Sequence, residues 1–186
     1  HFTPVYLHYN SGQHISVNGR AFAGLVESLV KAWPVPVTEI AIVGHSMGGL
    51  VARAYLRRYG SQKISVVMTL GTPHHGSVHA WLFPGLSLAQ LRPGSAWLAE
   101  LNRDEGTPAG VRVVSLWSWH DSMVAPQTSS RLAGAENIEL AGIGHNALLG
   151  DRRVFALVAA ELARVAGEAS TSVSPVSAGR TPSAPA

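Results

Sequence analysis

The sequence predicts an α/β protein, a mostly parallel sheet flanked by helices, and three observations carry that prediction. Short apolar runs rich in β-branched residues recur along the chain. Most are apolar in succession rather than in alternation, as strands covered on both faces are. Between them lie stretches with apolar residues at helical spacing, and strand–helix alternation is most simply satisfied by parallel strands with helices on both faces.

Strands are expected at Pro4–Tyr9, Glu39–Val43, Lys63–Leu70, Val111–Trp117 and Asn137–Ala141. The stretch Gly19–Trp33 puts Phe22, Leu25, Val26 and Leu29 on one side of a helix that Pro34 stops. Leu50–Tyr59 gathers Leu50, Val51, Ala54 and Tyr55, with Gly60 where a C-terminal cap belongs. Arg152–Val165 carries Val154, Phe155, Val158 and Leu162 on a stripe. Two segments break the alternation. Gly76–Gly106 is long, contains Pro84 and Pro93, and carries Trp81, Leu82, Phe83, Leu86, Leu88, Leu91 and Trp97. It is expected to hold short helices or to cover a site as a cap. Gly167–Ala186 is Ser, Thr, Ala, Gly and Pro with hardly any large apolar residue, the composition of a disordered tail. The expected organisation is therefore one core over residues 1–166, a cap-like segment at 76–106, and a tail at 167–186.

Composition narrows the function classes. A chain of 186 residues, 46% hydrophobic and 13% charged, suits one compact core. The formal charge of +3 is spread, with Arg57-Arg58 and Arg152-Arg153 the densest basic spots, which argues against a nucleic-acid partner. Without cysteine there is no disulfide, thiolate metal site or cysteine nucleophile. No apolar stretch approaches the roughly 20 residues that span a bilayer, although transient contact with a lipid surface fits the apolar 76–106 segment. Compartment and oligomeric state are not set by these features.

The chemistry concentrates at Gly44-His45-Ser46-Met47-Gly48-Gly49, directly after the buried run Ile40–Val43 and directly before a helix. A serine between strand and helix turns the chain sharply, and small residues two before and two after let the two elements approach. Such a turn lifts the Ser46 hydroxyl above the carboxyl edge of the sheet, where open α/β sheets bind ligands. The Met47 N–H, opening the helix, is placed to donate to an oxyanion. A phosphate-binding loop is disfavoured, since G-x-G-x-x-G is absent and no lysine follows Gly49.

A serine nucleophile needs a base and an orienter, and in this architecture they follow it in the order acid, then histidine. His145, in Gly142-Ile143-Gly144-His145-Asn146 between the last strand and the last helix, returns over the carboxyl edge. It is the expected base. Only Asp104 and Asp121 are aspartates between Ser46 and His145. Asp104 sits in a polar turn-like cluster, whereas Asp121 follows the strand Val111–Trp117 closely, so Asp121 is the expected orienter. Glu136 and Glu139 are second choices, and His120 reads as a loop histidine. His74-His75 has no carboxylate nearby and makes a poor metal ligand set, so no metal or cofactor is expected. These two histidines are expected to shape the loop after the strand Lys63–Leu70. His45, His74, Trp81 and Leu82 are the expected substrate-lining residues.

With these residues in hand, the chain resembles the α/β-hydrolase lipases and esterases, especially the bacterial branch similar to GPI inositol-deacylases and triacylglycerol lipases. The resemblance rests on Tyr9–Gly12 with His14-Ile15 and Asn18-Gly19, on Gly44–Gly49, Leu70–Gly76, Gly94-Ser95 through Leu101-Asn102, Asp121–Val124 and Gly144-His145. It implies hydrolysis of a carboxylic ester of a small molecule or lipid through an acyl-enzyme, without a cofactor. It also implies further strands upstream, one ending in a His-Gly type loop that supplies a second oxyanion donor. Nothing of that kind precedes Pro4 in this sequence, which begins at His1. The expectation is a partial α/β-hydrolase fold, with a strand missing between Pro4–Tyr9 and Glu39–Val43. Two alternatives share the same residues: acyl transfer to an alcohol other than water, and a non-catalytic hydrolase-like protein that binds apolar ligands.

Overall fold

A computed structural model of the chain describes residues 2–103, 108 and 110–172. Helix α1 (Ile15–Ala32) leads into strand β1 (Ile40–His45), helix α2 (Met47–Tyr59) and strand β2 (Ile64–Leu70). Two short helices follow, α3 (Leu86–Leu91) and α4 (Ala96–Leu101), then strand β3 (Arg112–Trp117), strand β4 (Glu136–Glu139) and the long helix α5 (Arg152–Ser172). The strands form one sheet in the order β1-β2-β3-β4, every neighbour parallel. Successive parallel strands cannot be joined by tight turns, so each connection carries helix or long loop across a face.

The alternation of side chains along β2 explains the two cores. Val66, Met68 and Leu70 face α5, joining Val114, Leu116, Ile143, Leu148, Val154 and Val165. Val67 faces the other way, and the register irregularity between Ile64 and Val66 turns Ile64 to that same face, toward Ala52, Tyr55 and Leu56 of α2, with Phe22 and Val26 of α1 packed behind. A third cluster joins Ile15, Leu50, Val51, Leu98 and Leu101, and so seats α4 on α1 and α2. The segment expected as a cap therefore has its own short helices, and its second half is built into the core. Leu86–Leu91 and Ala96–Leu101 are too short to show a helical period, and Pro93 separates them.

Residues 4–9 do not form the expected strand; residues 2–10 have no regular secondary structure. Their composition is strand-like, but a strand is stabilised by its ladder, and β1 ends the sheet without pairing to them. Val5 and Tyr6 stand 56% and 86% exposed in consequence. α1 stops at Ala32 because Trp33, which precedes Pro34, is driven to extended backbone. α5 continues past Val165 to Ser172, into the stretch read as tail; residues 173–186 lie outside the described residues. Among the described residues no helix is long and apolar enough to cross a membrane.

Candidate active site

The carboxyl ends of β1, β2 and β3, with the loop after β4, build the site. β1 runs through Gly44 and His45 into Ser46, whose backbone stands at φ 54, ψ −127 before α2 begins at Met47. Positive φ is rare and strained for a residue with a side chain, and here the tie to β2 enforces it. The Ser46 N–H donates to the Leu70 carbonyl at 2.8 Å, and its own carbonyl accepts from Gly49 at 3.2 Å. The bend closes so tightly that a Cβ on Gly44 would lie 2.7 Å from the Gly49 nitrogen and 2.8 Å from the Gly48 carbonyl carbon. Only glycine fits that position. The Met47 N–H opens α2, where the helix itself supplies no acceptor.

Asp121 and His145 meet at the same end of the sheet. Asp121 follows β3, is 2% exposed, and its Oδ1 accepts from the backbone N–H groups of Met123 and Val124, both at 2.8 Å. Its Oδ2 lies 2.7 Å from His145 Nδ1. Burial pushes the Asp121 carboxyl up, but the hydrogen bonds from His145, Val124 and Met123 outweigh it and leave the group below the ordinary carboxylate value. An ionised carboxylate only accepts, so His145 carries a proton on Nδ1, which leaves Nε2 as the basic atom of the neutral ring. Gly71, just past β2, makes room for the pair. At φ +55, a Cβ there would stand 3.0 Å from Asp121 Oδ2, 3.1 Å from His145 Nδ1 and 2.9 Å from Leu148 Cδ1.

The turn at Ser46 and the loop of His145 are in contact through His45. Its Nε2 is 3.0 Å from the His145 carbonyl oxygen, and the two rings lie 4.7 Å apart between centroids. Of the residues expected to line a substrate, His45 is thus engaged with His145. His74 is fully buried and lies away from any surface. Arg53 Nη1 approaches its Nδ1 at 3.5 Å, and its Nε2 lies 3.1 Å from Thr69 Oγ1. Since a guanidinium only donates, His74 accepts on Nδ1 and donates from Nε2. Thr69 then donates to Ser115 Oγ at 2.9 Å, and Ser115 to the Ser130 carbonyl at 2.6 Å. Burial first, then the Arg53 and His75 charges, hold His74 well below the usual imidazole value, so it is a neutral core histidine. The expectation that it touches substrate is corrected on this placement; the expectation that it shapes its loop accords with it.

Trp81 and Leu82 are 61% and 68% exposed, beside exposed Phe83 and Leu86. They sit at the end of a short helical turn, Val78–Trp81, which the Val78 N–H ties to the Ala125 carbonyl at 2.8 Å, next to the Asp121 loop. Arg92 lies over the Trp81 ring, 4.6 Å from its centroid. His120 is exposed and accepts from the Gly142 N–H at 3.2 Å, steadying the turn that leads to His145. Glu136 is paired with Arg112. Glu139 ends β4, and Asp104 lies outside the described residues. Sequence reasoning missed Ser77, whose hydroxyl donates to the Met123 carbonyl at 2.9 Å and accepts from Ala125 at 3.1 Å. It clamps the Asp121 loop, and no local pattern marks it. Gly71 was also missed as a site residue; a glycine before Thr-Pro at a strand end is the turn signal that marks it.

A parallel sheet between helices, with a strained serine turn at the carboxyl end of β1 and a buried histidine–aspartate pair beside it, defines an α/β-hydrolase fold. Solved structures agree on the fold. Lipase B of Aspergillus fumigatus is 19% identical, with a TM-score of 0.64 over 75% of this chain and 39% of that one. The mature lipase BlEst2 of Bacillus licheniformis is 16% identical, with a TM-score of 0.63 over 75% of this chain and 70% of that one. More particularly, the PGAP1-like alpha/beta domain family matches residues 23–137, and the chain belongs to that family. It is also similar to GPI inositol-deacylase of Rattus norvegicus, 48% identical over 48 residues, which are 25% of this chain and 5% of that protein. GPI inositol-deacylase of Candida albicans is 34% identical over 92 residues, 49% of this chain and 18% of that protein. The chain thus spans a small part of the length of these relatives.

Proposed function

We propose that this protein hydrolyses carboxylic esters of apolar acyl groups through an acyl-enzyme on Ser46. The observation that carries the reading is the buried 2.7 Å bond between Asp121 and His145, set beside the Ser46 turn by the His45 contact. In the first half-reaction the Ser46 hydroxyl attacks the ester carbonyl carbon as His145 Nε2 takes its proton. The Met47 N–H donates to the developing oxyanion. The carbon–oxygen bond to the alcohol breaks, and the alcohol leaves with the proton from His145. In the second half a water molecule attacks the acyl carbon, His145 accepts its proton, and the fatty acid departs as Ser46 regains its hydrogen. Asp121 holds the ring and stabilises its transient positive charge throughout. The exposed Trp81, Leu82, Phe83 and Leu86 offer an apolar surface for an acyl chain or the lipid that carries it. The names of the deacylase relatives make an acylated inositol lipid a substrate to assay beside simple esters.

The test is covalent labelling with a fluorophosphonate probe together with turnover of a p-nitrophenyl ester. Wild type is expected to be labelled at Ser46 and to release p-nitrophenol. Ser46→Ala loses both, and labelling that persists in this variant refutes the nucleophile.

A further inference from the structure

His45 has no part in the proton transfers of the proposed reaction, yet its ring lies against the imidazole that performs them. It is the last residue of β1, joined directly to Ser46. A carbonyl oxygen only accepts, so the 3.0 Å contact between His45 Nε2 and the His145 carbonyl requires the proton on Nε2. The rings meet at a tilt of 47° with 4.7 Å between centroids, which leaves little freedom for either to rotate. Burial above all holds His45 below the ordinary imidazole value, although the bond to the His145 carbonyl opposes it. At neutral pH the ring is therefore neutral, with its one proton committed to this bond.

Two constraints are needed to place the His145 ring relative to a serine on another strand. The bond to Asp121 fixes the tautomer and the tilt about Nδ1, but Asp121 hangs from the end of β3, two strands away from β1. It does not set the distance from β1. Among the described residues, the His45 bond is the one hydrogen bond joining residues 44–49 to residues 140–149. It grips the main chain of the histidine itself, and its other end is continuous with Ser46, whose N–H is tied to β2 at 2.8 Å.

Resting on the reading of Ser46, Asp121 and His145 as a hydrolytic triad, we propose that His45 is a positioning residue. Its Nε2–H bond to the His145 carbonyl sets the separation between imidazole and serine hydroxyl, and so the rate of proton transfer. It acts through His145 and leaves the Trp81–Leu86 surface alone, so its signature is a loss in kcat without a matching change in KM.

The test uses the full chain and the variants His45→Leu, His45→Gln and His45→Asn, with Ser46→Ala beside them. Ring-nitrogen NMR of the wild type is expected to find His45 as the Nε2–H tautomer at neutral pH. With a short p-nitrophenyl ester, His45→Leu is expected to lower kcat about 10- to 100-fold with KM within about twofold, the scale of a small misplacement of a reacting group. The Gln amide nitrogen reaches about as far as Nε2, and His45→Gln is expected to recover kcat to within about threefold. His45→Asn, one methylene shorter, is expected to stay impaired, and the Gln–Asn contrast decides the matter even if the Leu variant does not fold. An Nδ1–H tautomer in the wild type overturns the proposal without need of turnover. So do equal kcat values across the Gln, Asn and Leu variants, or a loss carried by KM alone. If Ser46→Ala turns over the ester like wild type, the triad reading itself fails, a separate outcome from any result on the tautomer.

Discussion

Replacing Gly71 by alanine adds one methyl group at the point where the sheet, the acid and the base meet. Two costs follow from the geometry. At φ +55 a residue with a Cβ is strained by about 1 kcal/mol. The new methyl would stand 2.9 Å from the buried Leu148 Cδ1, 3.0 Å from Asp121 Oδ2 and 3.1 Å from His145 Nδ1, so each must retreat by a few tenths of an ångström. Overpacking of this kind costs about 1–3 kcal/mol, which brings the total loss of stability to about 2–4 kcal/mol. A domain stable by about 5–15 kcal/mol survives that and remains folded for assay. Gly60 supplies the control, because it stands at φ +82 with nothing within 4 Å of an added Cβ. Gly60→Ala is expected to lose only backbone strain, about 1–3 kcal/mol, because φ 82 with ψ −174 is a region kept almost wholly by glycine. Urea unfolding reads the stability lost by each variant, and kcat on a soluble ester reads the displacement of the pair. Gly71→Ala should fall about 10- to 100-fold in kcat while Gly60→Ala stays near wild type. If Gly71→Ala retains full kcat, the Asp121–His145 pair does not lean on Gly71, and its position is set elsewhere.

Asp121→Asn keeps the shape of the side chain but offers an amide where an acceptor is needed; kcat should drop by about three to four orders of magnitude with the fold intact, measured by turnover and circular dichroism. Arg53 donates to the Leu101 carbonyl and to Asn102 Oδ1, and burial with the nearby Arg57 charge holds it at about 10, low for a guanidinium yet still charged at neutral pH. Arg53→Ala removes those bonds beneath α4 and should cost about 2–4 kcal/mol in denaturant unfolding. His74 makes a pH prediction. Its folded state resists the proton that the unfolded chain takes up near 6.5, so the unfolded state binds more protons at acid pH. Stability from this group is complete above that value and declines as pH falls below it, by up to about 1.4 kcal/mol per pH unit. His74→Gln should flatten that slope in unfolding curves taken between neutral and mildly acid pH, and an unchanged slope refutes the assignment.

What was legible in the sequence was what local chemistry dictates. The glycine-flanked serine after a buried β-branched run fixes a strand, a bend and a helix in a few residues, and the structure has them with β1 extended to His45 and α2 begun at Met47. Asp121 and His145 were legible because each follows a strand closely on the carboxyl side, and parallel strands bring those ends together. What was not legible depends on partners distant in the chain. Residues 4–9 have strand composition, but composition cannot say whether a neighbour will supply a ladder. His74 and His75 look alike in sequence, and only the packing of β2 on β3 separates the buried ring from the exposed one. His45 stands beside the serine in sequence, yet its bond crosses to the opposite end of the domain's chain and has no local trace.

The run of bonds from Arg53 through His74, Thr69 and Ser115 to the Ser130 carbonyl has a direction, since each donor faces the next acceptor and both ends are groups that cannot reverse. Such a row is costly to edit alone: valine in place of Thr69 would leave His74 Nε2 only its longer 3.4 Å contact with Ser115 Oγ. Variation along this seam is therefore expected to arrive as matched sets of residues, and a single-site mutational scan should find its interior members far less tolerant than exposed positions away from the site, such as Tyr6.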